Sequence, residues 1–213
     1  DYAHTDQKLL KENANYSDAY WDKRTMAPSS LLFYVGVNKK LENLEHHNLF
    51  FDESLEEHGK TIYKDPSWPQ KPLFYMSVPS LTDPNVAPQG SENLFFLIPL
   101  APDLQDDEAT REKYFELLLE RLKKRTGNDI KDHIVYKRSF CVADFKSDYN
   151  AFKGNAYGLA NTLRQTAILK PRMQHKKIKN LYYTGQLTVP GPGVPPSIVS
   201  GEVVAKQIIA KYH

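Results

Sequence analysis

The residues best arranged for chemistry lie near the end of the chain, in Gly185-Gln-Leu-Thr-Val-Pro-Gly-Pro-Gly-Val-Pro-Pro-Ser197. From Asn180 the sequence reads as a buried strand, a loop stiffened by proline and glycine, and then an amphipathic helix. That order sets a helix N-terminus, with its unpaired N–H groups and positive dipole end, beside a loop that a ligand can approach closely. Gly191-Pro-Gly193 imitates the opening of the dinucleotide fingerprint G-x-G-x-x-G. The imitation stops there: Pro196 stands at the third glycine, and too little chain follows for the rest of a βαβ unit.

Pro190, Pro192, Pro195 and Pro196 have no N–H, so donors can come only from Gly191, Gly193, Val194, Ser197 and Ile198. Rigid backbone with sparse donors suits a flat ligand bearing acceptors better than a phosphate cradle. On chemistry alone, however, the simpler reading is a strand-to-helix turn with prolines in the first helical turn. Ile198, Val199, Val203, Val204, Ile208 and Ile209 then form a stripe expected to be core.

Other candidate groups are weaker. His46 and His47, read as neighbours on a strand, should point to opposite faces and so cannot hold one ion. His4, His58, His133, His175 and His213 have no ligand spacing, and no metal site is expected. Ser197 lacks the small neighbours of a nucleophile elbow. Cys141, the single cysteine, reads as a buried small hydrophobe; it allows no internal disulfide and points to a reducing compartment. Lys170, Arg172, His175, Lys176, Lys177 and Lys179 form a basic run, expected to be solvated, with a membrane surface as the lesser alternative.

These groups must be positioned by a chain of 213 residues, enough for one large domain or two small ones. Basic and acidic residues number 28 and 26, a balance that gives nucleic acid no support as a partner. A hydrophobic content of 40%, with 13 Tyr and 10 Phe, excludes a disordered chain. No apolar run approaches the roughly 20 residues that cross a bilayer.

Residues 1–25 read as polar helix, with Ser17 capping Asp18–Arg24. Leu31–Val37 is expected to be a strand buried on both faces. Further strands are expected at His47–Phe51, Leu73–Val78 and Asn93–Leu100, the last two antiparallel neighbours joined by the turn chemistry of Pro79–Gly90. Asp107–Arg125 carries Tyr114, Leu117, Leu118 and Leu122 at helical spacing and stops at Gly127. A strand over Ile130–Phe140, a short helix over Cys141–Asn150 and an irregular stretch to Arg172 complete the order.

Three segments, in this order, carry a resemblance. They are Ala27–Val37 with Glu45–Phe51; Ser77–Gly90 running into Asn93–Pro102; and Ala151–Leu159 with Leu163–Ala167 and the Tyr183-Thr-Gly to Ser200-Gly segment. Together they resemble the bacterial-type carotenoid (phytoene) desaturases, FAD-dependent flavoproteins of amine-oxidase-like architecture. The resemblance covers essentially the whole chain and implies a mixed α/β fold: a mostly antiparallel substrate-domain sheet with helices, plus the last strand and helix of a Rossmann-type FAD domain. It also implies that the N-terminal half of that FAD domain precedes Asp1. Residues 1–28 would link from the FAD domain, 29–175 would bind substrate, and 176–213 would complete the FAD domain.

The function so implied is dehydrogenation of a C40 carotenoid such as phytoene by hydride transfer to FAD. The alternatives are a desaturase of a later carotenoid (γ-carotene-type or a hydroxycarotenoid 3,4-desaturase), an isomerase or saturase, and a non-catalytic module binding an apolar ligand. The implied partner is a long apolar polyene, and the implied location is cytoplasmic, peripheral to the inner membrane. Carried onto this sequence, Gly185 and Gln186 would lie near the ribityl chain, and Gly193, Val194 and Ser197 near the isoalloxazine. The sequence departs from the pattern where Gln186 replaces a small residue, Val189 a histidine and Pro196 a glycine. Without that histidine no acid or base acts at position 189, and no catalytic residue is nominated.

Overall fold

The computed structural model describes residues 1–212; His213, among the histidines weighed above, lies outside them. The helices and strands begin with α1 (Tyr2–His4), α2 (Asp18–Asp22), β1 (Ser29–Val37), β2 (His47–Phe50), α3 (Leu55–Tyr63) and β3 (Phe74–Ser77). They continue with β4 (Glu92–Leu100), α4 (Glu108–Thr126), β5 (Ile134–Phe140), α5 (Val142–Tyr149) and α6 (Val194–Tyr212). Two compact units result, Ser29–Asp144 and the rest, Asp1–Pro28 with 145–212.

The first unit is a five-stranded sheet in the order β2-β3-β4-β1-β5, every pairing antiparallel. β4 alternates strictly, with Leu94, Phe96, Ile98 and Leu100 buried. α4 covers that face, placing Phe115 at 4.9 Å from Phe33 and burying Tyr114, Leu118, Leu119 and Leu122. β1 was expected to be buried on both faces, yet Tyr34 is exposed and Leu32 and Gly36 are half-buried. Its apolar run reflects partners on both edges, β4 and β5, with a layer on one face only. β5 begins at Ile134, after a tight turn, and leaves Val135 and Tyr136 exposed on the sheet's edge.

Helix ends follow local chemistry. Asp107 caps α4 through the Thr110 N–H at 2.7 Å, and Gly127 closes it at φ 80°, where the left-handed region favours glycine. Ser17 caps α2 through the Tyr20 N–H.

The boundary between the units falls near Asp144, so 145–175 does not belong with the sheet as the sequence suggested. Backbone pairing explains this. The Ala27 N–H donates to Gly158 O at 2.8 Å, the Ala160 N–H to Thr25 O at 3.0 Å, and Met26 bridges Leu159. The expected strand at 180–185 makes a single bridge, Gln174 to Tyr182, because no strand among the described residues of this unit lies alongside it. α6 forms as expected, but its stripe is not core: Val204 is buried, whereas Ile198 is 70% and Ile209 58% exposed. No described element of its unit covers that face.

In the sheet unit Asp52 accepts hydrogen bonds from Arg121 and, at 2.7 Å, from Arg125 Nε. Burial alone would raise this carboxyl; the two guanidinium groups outweigh it and hold Asp52 below the usual carboxylate range. The stabilisation is therefore complete above the ordinary carboxyl value, about 4, and fades as pH falls through the depressed one. Asp52→Asn is expected to cost about 1–3 kcal/mol at pH 7. In pH-dependent denaturant melts, the difference from the unsubstituted protein should shrink on acidification.

Candidate functional site

In the second unit a buried carboxylate organises the N-terminal segment. Asp6 accepts the N–H groups of Asn15 at 3.0 Å and Tyr16 at 3.1 Å and the Trp21 Nε1–H at 3.3 Å. Burial pushes this carboxyl up, and the three donors act against that shift. The turn so formed gathers Tyr2, Tyr16, Tyr20 and Trp21 into one aromatic cluster.

Tyr2 then reaches the C-terminal segment. Its ring stacks on Tyr183 with centroids 3.6 Å apart and planes within 8°, and its hydroxyl donates to Arg172 O at 2.8 Å. Burial raises both phenols well above the ordinary tyrosine range, so they remain neutral. The Tyr183 hydroxyl is buried and has no hydrogen-bond partner among the described residues.

Past Tyr183 the chain turns at Gly185, φ 99°, whose carbonyl accepts from the Thr188 N–H (3.0 Å) and Thr188 Oγ1–H (2.9 Å). The Gly185 N–H donates to Ser200 Oγ at 2.7 Å, and that hydroxyl donates to Ser197 O at 2.6 Å, fixing the turn to α6. Gly158, φ 77°, packs so tightly that an added Cβ would lie 3.0 Å from Gln186 O.

These contacts enclose a cavity of about 550 Å³, walled by Tyr2, Phe145, Tyr149, Tyr183, Gly185 and Gln186 among others. Its one carboxylate, Asp1, is engaged by the N–H groups of Ala3 (2.8 Å), His4 (3.3 Å) and Phe152 (3.2 Å). The cavity can therefore receive a flat or extended conjugated group, and it holds no unengaged carboxylate to act as a base.

Of the residues singled out in the sequence, Gly185 and Gln186 line this cavity; Gly193, Val194 and Ser197 do not. They stand at the start of α6, with Gly193 and Val194 exposed. The Ser197 N–H, expected to be a free donor, is bonded to Gly193 O at 3.0 Å in the first helical turn. The donors left at this helix start are Gly191, Gly193 and Val194. Sequence reasoning missed Lys170, which is 5% exposed and sits against Gly191. It was hidden in a basic run that is not simply solvated: His175 is also buried, and Lys176 Nζ donates to Asn15 O at 2.6 Å over the Tyr16 ring.

The remaining candidates are structural. His46 precedes β2, and its ring lies 4.3 Å from that of His47, closer than a strand would allow. Each bonds elsewhere, to Thr82 and Tyr75, and no metal-binding cluster of His, Cys, Asp or Glu occurs among the described residues. Cys141 is fully buried, and burial pushes its thiol far up.

No protein-family model matches the chain. It is 46% identical over 210 residues to a carotenoid 3,4-desaturase of Haloarcula japonica, a match covering 98% of this chain and 42% of that protein. A phytoene desaturase of Fusarium fujikuroi is 30% identical over 98% of this chain and 40% of its own length. A 4,4'-diaponeurosporene oxygenase of Staphylococcus haemolyticus is 32% identical over 86% of this chain and 37% of its own length. The chain thus spans about two-fifths of the length of the curated relatives it matches.

The close approach at Gly158 is testable. Gly158→Ala places a side chain in the left-handed region and against the Gln186 backbone, with an expected loss of about 1–2 kcal/mol in thermal melts. Gly201→Ala, inside α6 with nothing within 4 Å, should instead stabilise by about 0.5–1 kcal/mol. Equal responses from the two variants would contradict the packing described.

Proposed function

We propose that this chain, a homologue of the carotenoid desaturases along nearly its whole length, forms the substrate-facing part and the flavin-facing end of an FAD-dependent carotenoid desaturase. The carrying observation is that segments far apart in sequence (1–6, 145–156 and 182–187) meet around one cavity walled by aromatic rings and the Gly185-Gln186 turn. Tyr149, 64% exposed, offers its ring to a conjugated chain, and the stacked, buried pair Tyr2 and Tyr183 forms the wall behind it. The residues at the start of α6 fit a flavin, since a buried ammonium without a partner and sparse N–H donors suit a ring edge rich in acceptors.

Desaturation converts CH₂–CH₂ into CH=CH by losing a hydride and a proton. Bound FAD would supply the hydride acceptor. The chain's share would be to hold the polyene, and the proton would leave the carbocation-like centre for water at the open side of the cavity, for which no strong base is needed. The engaged state of Asp1 agrees with that division. Gly185 and Gln186 would contact the ribityl chain, and Gly193, Val194 and Ser197 the ring.

A later-acting substrate is the second reading for the same site. The relative named as a 3,4-desaturase is 46% identical, against 30% for the phytoene desaturase, which favours an intermediate already partly desaturated.

The relatives extend well beyond this segment, and the exposed stripe of α6 is suited to packing against the remainder of such a protein. On this reading the 213-residue chain alone binds FAD weakly or not at all. Visible absorption of the full-length protein, titrated with FAD and then with phytoene or a 3,4-dihydro carotenoid under argon, tests the assignment. The expected result is an oxidised-flavin band that bleaches with one of them. Absence of flavin uptake by the full-length protein would remove the desaturase reading, and stoichiometric tight flavin on the isolated chain would refute its division of labour.

No described helix is long and apolar enough to cross a membrane. The loop carrying Leu163 and Ile168, 91% and 95% exposed beside Arg164, gives a surface for peripheral contact with the membrane that stores polyenes. Leu163→Glu with Ile168→Glu is expected to abolish co-sedimentation with anionic vesicles while leaving the thermal melt unchanged.

A further inference from the structure

In the second unit Arg24 Nε, His175 Nε2, the Tyr183 hydroxyl and Lys170 Nζ are buried without a hydrogen-bond partner among the described residues, and of these Lys170 is the lysine. Its side chain is buried, yet Nζ has no hydrogen-bond partner among the described residues. Burial pushes the amine below the ordinary lysine range, and nothing nearby compensates. A cation left in this condition destabilises its surroundings unless an anion or a strong acceptor arrives to pair with it.

Its position says where that acceptor would sit. Gly191 adopts φ 137°, and a Cβ added there would fall 3.3 Å from Lys170 Cε, 3.5 Å from Nζ and 3.6 Å from Asn161 Oδ1. The ammonium is thus pressed against the loop that leads into α6, a helix of 19 residues. Pro195 and Pro196 remove two N–H groups from its first turn and Ser197 spends its own on Gly193, which leaves the N–H groups of Gly191, Gly193 and Val194. On its other side Lys170 joins the wall of a cavity of about 540 Å³ that includes Arg172, His175, Lys176 and Lys179 and no carboxylate. Beside Gly191, the cation and the basic wall act in one direction.

We propose that Lys170, with the free N–H groups leading into α6, forms a site for an acceptor bearing negative charge. Resting on the flavin reading above, that acceptor is the pyrimidine edge of the flavin, N1 and C2=O, and Lys170 is the positioning residue that favours its charged form. The same chemistry would also receive a small inorganic anion, and the experiment separates the two.

The test uses the full-length protein labelled with [13C]lysine, in which the Lys170 ε-carbon resonance is assigned by its loss in Lys170→Met. FAD is titrated in oxidised and in photoreduced form, and sodium nitrate in a parallel series. The expected result is a saturable shift of the Lys170 signal with FAD, larger in the reduced state. In addition, Lys170→Met should weaken binding of reduced FAD at least about tenfold more than that of oxidised FAD, with Lys170→Arg restoring most of the difference. If FAD binds but Lys170→Met weakens both forms equally, or the resonance does not move, the inference is overturned while the flavin reading stands. If FAD does not bind and nitrate shifts the signal saturably, the flavin reading falls and the anion site survives. Silence toward both ligands overturns the site.

Discussion

One buried carboxylate constrains the whole of the second unit. Asp6 can lie at zero exposure only because Asn15, Tyr16 and Trp21 bring donors to it. Meeting that demand curls residues 6–21 into a turn and lines up Tyr16, Tyr20 and Trp21 around Tyr2. Tyr2 in turn is the surface on which Tyr183 stacks, and Tyr183 fixes where the chain turns at Gly185. An electrostatic need near the N-terminus thereby sets the position of a glycine turn near the C-terminus, with no regular sheet between them.

The contrast with the sheet unit explains what the sequence could convey. The apolar run over Asn93–Leu100 and the helical spacing from Tyr114 to Leu122 are local signals, and each element they announce is present. Gly127 as a helix stop and Ser17 as a cap are equally local. The error over β1 arose because an apolar run carries no record of how many layers will cover it. The exposure of Val135 and Tyr136 follows from strand order, which places β5 at the sheet's edge, and not from composition.

In the second unit the order depends on long-range single contacts, which have no period. Nothing in Lys170-Pro171 distinguishes it from the other cations of its run; only the approach of Gly191 makes it a buried ion. Likewise the bonds from Ala27 and Ala160 that draw 145–175 away from the sheet involve backbone groups that any residues possess. The ordered resemblance carried more here than the chemistry of any one motif. It drew attention to Gly185 and Gln186, which do line the cavity, and to the helix start, which stands at a separate place.

That separation has a physical reading. A hydride donor carbon and the charge-stabilising edge of its acceptor are on different atoms of different molecules, so one surface need not serve both. The cavity around Tyr2 and Tyr183 mixes aromatic rings with Thr5, Asn155, Thr184 and Gln186 and lacks an unengaged carboxylate, so on the proposed reading it would hold a neutral ligand. The start of α6, with Lys170 behind it, is polar and cationic, a medium suited to charge that develops elsewhere. Ser200 joins the two, accepting from the Gly185 N–H and donating to Ser197 O, so a displacement of either place is felt by the other through a single hydroxyl. A rigid link of this kind keeps a binding wall and a charge-bearing wall in register while each retains its own dielectric character.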